Sequence, residues 1–173
     1  MKAALDSATR AEGLDAAAGF RLRVLCAEDA AAAAAVIREA FAAQSLATDP
    51  PSSALRETAQ SVAARLAAGG GAALEADARL VGVAPWAERD DGLYLGRLAA
   101  LPAWRGRGAA RALIGAAETE ARRRALPRLH LRVRLALDEN RRLFAACGFA
   151  ATRQGAPPTP PGVWVRINGG SAD

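Results

Sequence analysis

From Phe20 to Leu25 apolar and polar positions alternate as they do in a strand, and Asp29 is then placed to cap a helix carrying Val36, Ile37 and Phe41 on its apolar side. The segment Ala47 to Ser53, with Asp49, Pro50 and Pro51, breaks the pattern. A second helix is expected from about Ser53 to Ala68, stopping at Gly69 to Gly71. Beyond the glycines the period becomes two. Ala72 to Glu75 and Leu80 to Trp86 read as a hairpin around Ala76 to Arg79, and Arg89, Asp90, Asp91 and Gly92 form the next turn. Leu93 to Leu101 is nearly continuous in apolar residues, as expected of a central strand covered on both faces, and Pro102 ends it.

Ala109 to Ala125 has Ala110, Leu113, Ile114, Ala117 and Ala121 at helical spacing, with Glu118–Arg122 and Glu120–Arg124 as favourable pairs four apart. Pro127 breaks this helix. Arg128 to Arg134 alternates again, placing Leu129, Leu131 and Val133 on one face and His130, Arg132 and Arg134 on the other. A short helix around Asn140 to Cys147 ends at Gly148, Phe149 opens another strand, and the Pro-rich stretch Gly155 to Gly162 precedes a last strand, Val163 to Ile167. These elements predict an α/β fold: a mixed, mostly antiparallel seven-stranded sheet flanked by about four helices. Residues 20–167 form one domain in this reading, and residues 1–19 a flexible N-terminal tail.

Length and composition agree with a single globular domain, since 173 residues with 51% hydrophobic and 24% charged content can bury a core without staples. Cys26 and Cys147 have no CxxC spacing, no metal-ligand pattern surrounds them, and no secretory leader is legible, so free thiols and a cytoplasmic location are expected. No apolar run approaches the ~20 residues that span a bilayer, so no membrane partner is expected. Of 23 basic residues all but Lys2 are arginine, and the net charge of +5 favours anionic ligands. Those arginines are dispersed and aromatics are only 5%, so a dedicated nucleic-acid reader is weakly supported; its affinity would collapse with added salt.

The informative segment is the passage from Leu98, Ala99 and Ala100 through Leu101 and Pro102 into Arg105-Gly106-Arg107-Gly108-Ala109-Ala110 and directly into a helix. The first amides of a helix lack internal partners and sit at its positive end, so a pyrophosphate is well placed there. Gly106 and Gly108 let the backbone approach it. Glycines also open helices for steric reasons alone, so the hexapeptide by itself leaves both readings open. The GxxxxGK(S/T) loop is absent, and the dinucleotide GxGxxG fails because Arg111 stands at the last glycine.

In its context the segment resembles the GNAT superfamily of acyl-CoA-dependent N-acetyltransferases. The family's Gln/Arg-x-x-Gly-x-Gly/Ala signature is matched by Arg105, Gly108 and Ala110, with its preceding strand, its helix, its next strand and a later Asn140 to Phe149 helix all in order. The resemblance implies the GNAT fold and acetyl-CoA as cosubstrate. It implies cofactor binding by Leu98, Ala99 and Ala100, by Arg105 to Ala110, by Asn140 as a contact or helix cap, and by Phe144 as core or wall. It also implies a splay between the strands holding Leu95 to Ala100 and Leu129 to Val133, where unpaired backbone groups receive the pantetheine arm.

Two positions depart from the family. Phe144 stands where many members carry a tyrosine general acid, and Arg132 where some carry a glutamate base. Tyr94 and Glu88, beside the turn into the central strand, are the expected catalytic residues; Asp90, Asp91 and His130 are further proton-handling candidates. Arg97, Arg132 and Arg134 could receive an anionic group of the acceptor. The expected activity is direct acetyl transfer to a primary amine of a small molecule, with a homodimer a further implication of the resemblance. The alternative, prompted by Phe144 and Arg132, is a silent CoA-binding regulatory or sensing module.

Overall fold

The computed structural model describes residues 18–44, 51–89, 92–133, 138–152 and 162–167. In chain order they form β1 (Arg21–Val24), α1 (Ala30–Ala42), α2 (Ala59–Ala68), β2 (Gly71–Ala76), β3 (Arg79–Arg89), β4 (Gly92–Leu95) and β5 (Ala99–Ala100). Then follow α3 (Ala109–Arg123), β6 (Arg128–Val133), α4 (Asp138–Ala146), β7 (Ala150–Thr152) and β8 (Gly162–Ile167). The sheet runs β1-β2-β3-β4-β6-β8-β7, with β5 as a further partner of β3. Only β4 and β6 pair in parallel, joined through α3; the other pairs are antiparallel. The expected mixed, mostly antiparallel α/β sheet with four helices is what forms.

Alternation along the strands divides the core between two faces. Leu74, Trp86, Leu93, Leu95, Leu129 and Leu131 pack with Leu113 and Ile114 of α3 and Phe144 of α4. On the other face Ala73, Val83 and Ala99 pack with Ile37 of α1 and Val62 of α2. Alanine in the strands and in α1 lets the helices approach closely, and Ala33 and Ala73 are wholly buried.

Several boundaries differ from the sequence reading, each for a local reason. The continuous strand expected from Leu93 to Leu101 is broken between Leu95 and Ala99, which gives eight strands rather than seven. Ser53–Arg56 is a single 3-10 turn, and α2 begins only at Ala59 because Thr58 and Ser61 form a reciprocal capping box there. Asp29 precedes α1 but makes no side-chain cap to it; its carboxylate instead accepts from the Cys26 amide and receives both terminal nitrogens of Arg23. Helix α4 starts at Asp138, so Asn140 lies inside its first turn. Ala18 and Gly19, read as tail, pack on the core and on Trp104. Residues 1–17, Asp90, Asp91, Arg134 and most of the two loops at 47–53 and 155–162 lie outside the described residues.

The hairpin between β2 and β3 turns on Asp77 and Ala78, both at positive φ (49° and 59°), as a tight two-residue turn requires. Ala78 holds that conformation at a cost glycine would not incur. Ala78→Gly is therefore expected to raise stability by about 1 kcal/mol, read as a higher midpoint in thermal or urea denaturation.

Candidate active site

The break in the central strand follows from a mismatch of one residue. Between the pairs Val83–Ala99 and Trp86–Leu95, β3 contributes Ala84 and Pro85 while the facing chain contributes Gly96, Arg97 and Leu98. This is a bulge. Pro85 has no amide hydrogen to offer, and its carbonyl accepts from the Gly96 amide at 3.1 Å. Arg97 absorbs the extra residue by taking φ +74°, a left-handed conformation uncommon for a long side chain.

Arg97 is held there by its side chain. Its Nε donates to Glu57 Oε1 at 2.7 Å and its Nη2 to Ser53 Oγ at 2.7 Å. Glu57 is 4% exposed and also accepts from Ser61 Oγ at 2.6 Å and from Arg65 Nη2 at 3.2 Å. Burial works to raise the Glu57 carboxyl, but the Ser61 hydroxyl, Arg97 and Arg65 together outweigh it and hold the group below its ordinary value. One carboxylate thus joins the segment before α2 to the bulge.

Beyond the bulge the sheet opens. Leu101 donates to Val81 O at 2.9 Å, so Leu101 and, two residues earlier, Ala99 turn their backbone groups toward β3. Leu98 and Ala100 therefore present theirs to the other side. There β6 is no longer a partner, because its pairing with β4 ends at Leu95–Leu131 while Arg132 and Val133 pair only with β8. A row of backbone donors and acceptors faces this gap.

The same chain leads from the gap into the glycine loop. Pro102–Trp104 forms a 3-10 turn, and Gly106 and Gly108 both take positive φ, 73° and 84°. A Cβ at either would meet nothing within 4 Å, so the surface beside them is open. Gly108 caps α3 by position with no side-chain cap, and the first helical bond runs from the Ala112 amide to Gly108 O at 3.0 Å. The amides of Ala109, Ala110 and Arg111 are thus the unpaired donors of the helix end, the arrangement that receives phosphate. A pantetheine arm in the gap and a pyrophosphate at the loop both fit the residues present.

Arg105 plays a different part from the one its charge suggests. Its Nη2 donates to Ala40 O at 2.7 Å and its Nη1 to Ala43 O at 3.2 Å, so the guanidinium closes the C-terminal end of α1. Arg107 lies over the Trp104 ring at 4.9 Å and is exposed. Phe144 is buried, edge-on to Phe149 at 6.0 Å between centroids, within the α3-side core. Asn140 is partly exposed on α4, and Cys147 packs on the core as a free thiol.

Tyr94 and Glu88 are not brought together. Tyr94 is opposite Ala87 on the α2 side of the sheet, its ring against Gly96 and beneath the Arg89 guanidinium at 4.6 Å. Glu88 points to the α3 side and is 3.9 Å from Arg124 near the end of that helix. His130 is adjacent to Tyr94 in register and half-buried, whereas Arg132 is exposed. Arg97, expected as a receptor for an anionic acceptor, is bound to Glu57 and Ser53. Glu57 itself carries no sequence motif; an acid just before the Thr58 to Ser61 capping pair was its only trace.

Comparison with known proteins agrees with this geometry. Residues 34–149, more than half of the chain, match the model of the acetyltransferase (GNAT) family. The chain belongs to that family. Its cosubstrate is accordingly acetyl-CoA, and its class that of acetyl-CoA-dependent N-acetyltransferases. PaiA N-acetyltransferase from Thermoplasma acidophilum, solved with coenzyme A, is 16% identical and superposes with a TM-score of 0.73 over 86% of this chain and 98% of its own. The ribosomal-protein-S18-alanine N-acetyltransferase of Escherichia coli is 19% identical, with a TM-score of 0.68 over 89% and 97%. YncA from Salmonella typhimurium, a putative acetyltransferase solved with acetyl-CoA, is 18% identical, with a TM-score of 0.66 over 89% and 96%. No curated protein matches the chain in sequence. Among the described residues no helix is long and apolar enough to cross a membrane.

The Glu57 network gives a prediction with a sign. A carboxylate held below its ordinary value of 4.5 contributes stability that is present above that pH and lost as pH falls through the lowered value. Urea denaturation at a series of pH values should show wild type losing that contribution in the acid range while Glu57→Gln lacks it. At neutral pH Glu57→Ala, which strands two guanidiniums, is expected to cost about 3 kcal/mol.

Proposed function

We propose that this acetyltransferase moves the acetyl group of acetyl-CoA directly to a primary amine of a small molecule. The observation that carries the reading is the bulge, which turns the Leu98 and Ala100 backbone toward a gap that continues into the uncapped start of α3. Leu98 to Ala100 bind the pantetheine arm as an added strand, and Gly106 to Ala110 bind the pyrophosphate through backbone amides. The thioester supplies an activated acyl group. An amide of the gap that donates to its carbonyl oxygen stabilises the charge that develops there.

The amine nitrogen forms its bond to the acyl carbon as the carbon–sulfur bond breaks, and the proton lost by the amine is passed on to the thiolate. Tyr94, half-buried beside the bulge, is the group proposed to handle that proton. Glu88 lies on the other face beside Arg124, which argues against its sharing that step. An acceptor framed by α1 and the segment before α2, where Ser53 meets Arg97, is in keeping with the position of the gap and the habit of loops to set specificity.

Two variants test the reading. Gly108→Glu would place bulk and charge at the loop but also forces a side chain onto φ +84°, so Ala110→Asp is the cleaner probe. A carboxylate in the first turn of α3 should hold or raise the thermal midpoint, by about 0.3–1 kcal/mol of helix stabilisation, while it repels the pyrophosphate. Calorimetric titration should then show acetyl-CoA affinity reduced at least about tenfold; unchanged affinity would remove the loop from the site. Tyr94→Phe should lower kcat by about a hundredfold with acetyl-CoA affinity intact. Acetyl-CoA binding without CoA release across a broad amine panel would point instead to a sensing module.

A further inference from the structure

On the α2 side of the sheet, next to the bulge, lies a cavity of about 240 Å³ whose walls include Arg65 and Ala68 of α2, Trp86 and Arg89 of β3, Tyr94 of β4 and Gly96. Its described lining contains two guanidiniums and no carboxylate. Glu57, which pairs with Arg65, is divided between Arg65 and Arg97, which leaves one positive charge in surplus in that network. Arg89 adds another, stacked on Tyr94 and in no ion pair with a described carboxylate. Arg65 Nε is a buried donor with no hydrogen-bond partner, whereas the Trp86 indole packs on the α3 side and lends the cavity no donor. Walls that donate and carry positive charge select an acceptor group with negative charge.

Gly96 belongs both to this cavity and to the bulge, and Leu98, two residues on, faces the acyl gap. Two residues of chain span at most about 7 Å. A molecule with its amine in the gap and its other end in the cavity therefore needs only a short spacer.

We propose that the cavity receives a terminal oxyanion, carboxylate or phosphate, on the acceptor amine, held by Arg89 and Arg65. The acceptor class is then a short-chain amine with an anionic far end. This site takes the place of the one expected around Arg97, whose guanidinium is already committed to Glu57 and Ser53. The inference rests on the acetyltransferase reading for the amine end alone, and its test does not require turnover.

The test follows the backbone amide resonance of Gly96, which lines the cavity beside Tyr94 and Arg65, assigned by triple-resonance NMR in the full-length protein. It is titrated separately with 5-aminopentanoate, 3-aminopropyl phosphate and the neutral 5-aminopentanamide. The resonance should shift saturably with one or both anions and bind the amide at least about tenfold more weakly. Arg89→Gln, a change at an exposed residue, should abolish that preference while the remaining spectrum is unchanged. The relative affinities of the two anions identify which oxyanion the site takes. Equal binding of amide and anions, no saturable shift with any of them, or a preference that survives Arg89→Gln would overturn the proposal. Acetyl-CoA titration and CoA release are measured in parallel. In the wild-type protein, no preference for the anions with turnover intact overturns the cavity assignment alone, and a clear preference without turnover overturns the acetyltransferase reading alone.

Discussion

A single surplus residue opposite Pro85 controls the architecture of the site. With equal numbers of residues on both chains, Leu93 to Leu101 would pair with β3 throughout and could pair with β6 along its length. The extra residue instead lets β4 hold β6 while β5 holds only β3, and the gap is the space between those two commitments. Forming it requires Arg97 at positive φ, an unfavourable conformation that must be held by interactions elsewhere. Glu57 supplies them. Glu57 stands immediately before the Thr58 cap and accepts from Ser61 Oγ of the capping box, so the same carboxylate ties the start of α2 to the bulge.

What could be read from sequence, and what could not, divides along the same line. Periodicity located the helices and strands wherever one face is buried, since a buried face leaves a repeat in the residue types. The helix α3 and the hairpin at Asp77 and Ala78 are clear cases. The glycine loop was legible for a different reason, because positive φ and open approach restrict residue choice at Gly106 and Gly108. The bulge was not legible: Leu95, Leu98, Ala99 and Ala100 are apolar on both sides of it, and a strand covered on both faces has no alternation to interrupt. Pro85 and Gly96 were its available signals, but each is unremarkable until the register of the opposing strand is known. Glu57 was hidden more completely, as its importance lies in partners 8 and 40 residues away.

The arginines show why net charge is a poor guide to a site. In composition they resemble a basic surface awaiting an anion. In the structure Arg23 is divided between Asp29 and Glu75, Arg105 closes α1, Arg97 props the bulge and Arg124 binds Glu120 and Gly69 O. Guanidinium suits these tasks because its fixed fork can satisfy several carbonyl or carboxylate oxygens at once. The arginines that remain informative about ligands are the ones whose charge is not matched locally, and their position matters more than their number.

The buried Phe144 bears on where the proton of the transfer can go. With Phe144 edge-on to Phe149 in the α3-side core, that position has no hydroxyl with which to meet a departing thiolate. The single tyrosine of the chain, Tyr94, stands across the sheet on the α2 side, where the cavity and Arg65 lie. In the proposed mechanism the phenol on that side handles the proton next to the incoming amine, which makes deprotonation of the acceptor and its positioning depend on the same wall. Changes to that wall should then alter kcat and acceptor selectivity together, whereas changes at the glycine loop should alter acetyl-CoA affinity alone.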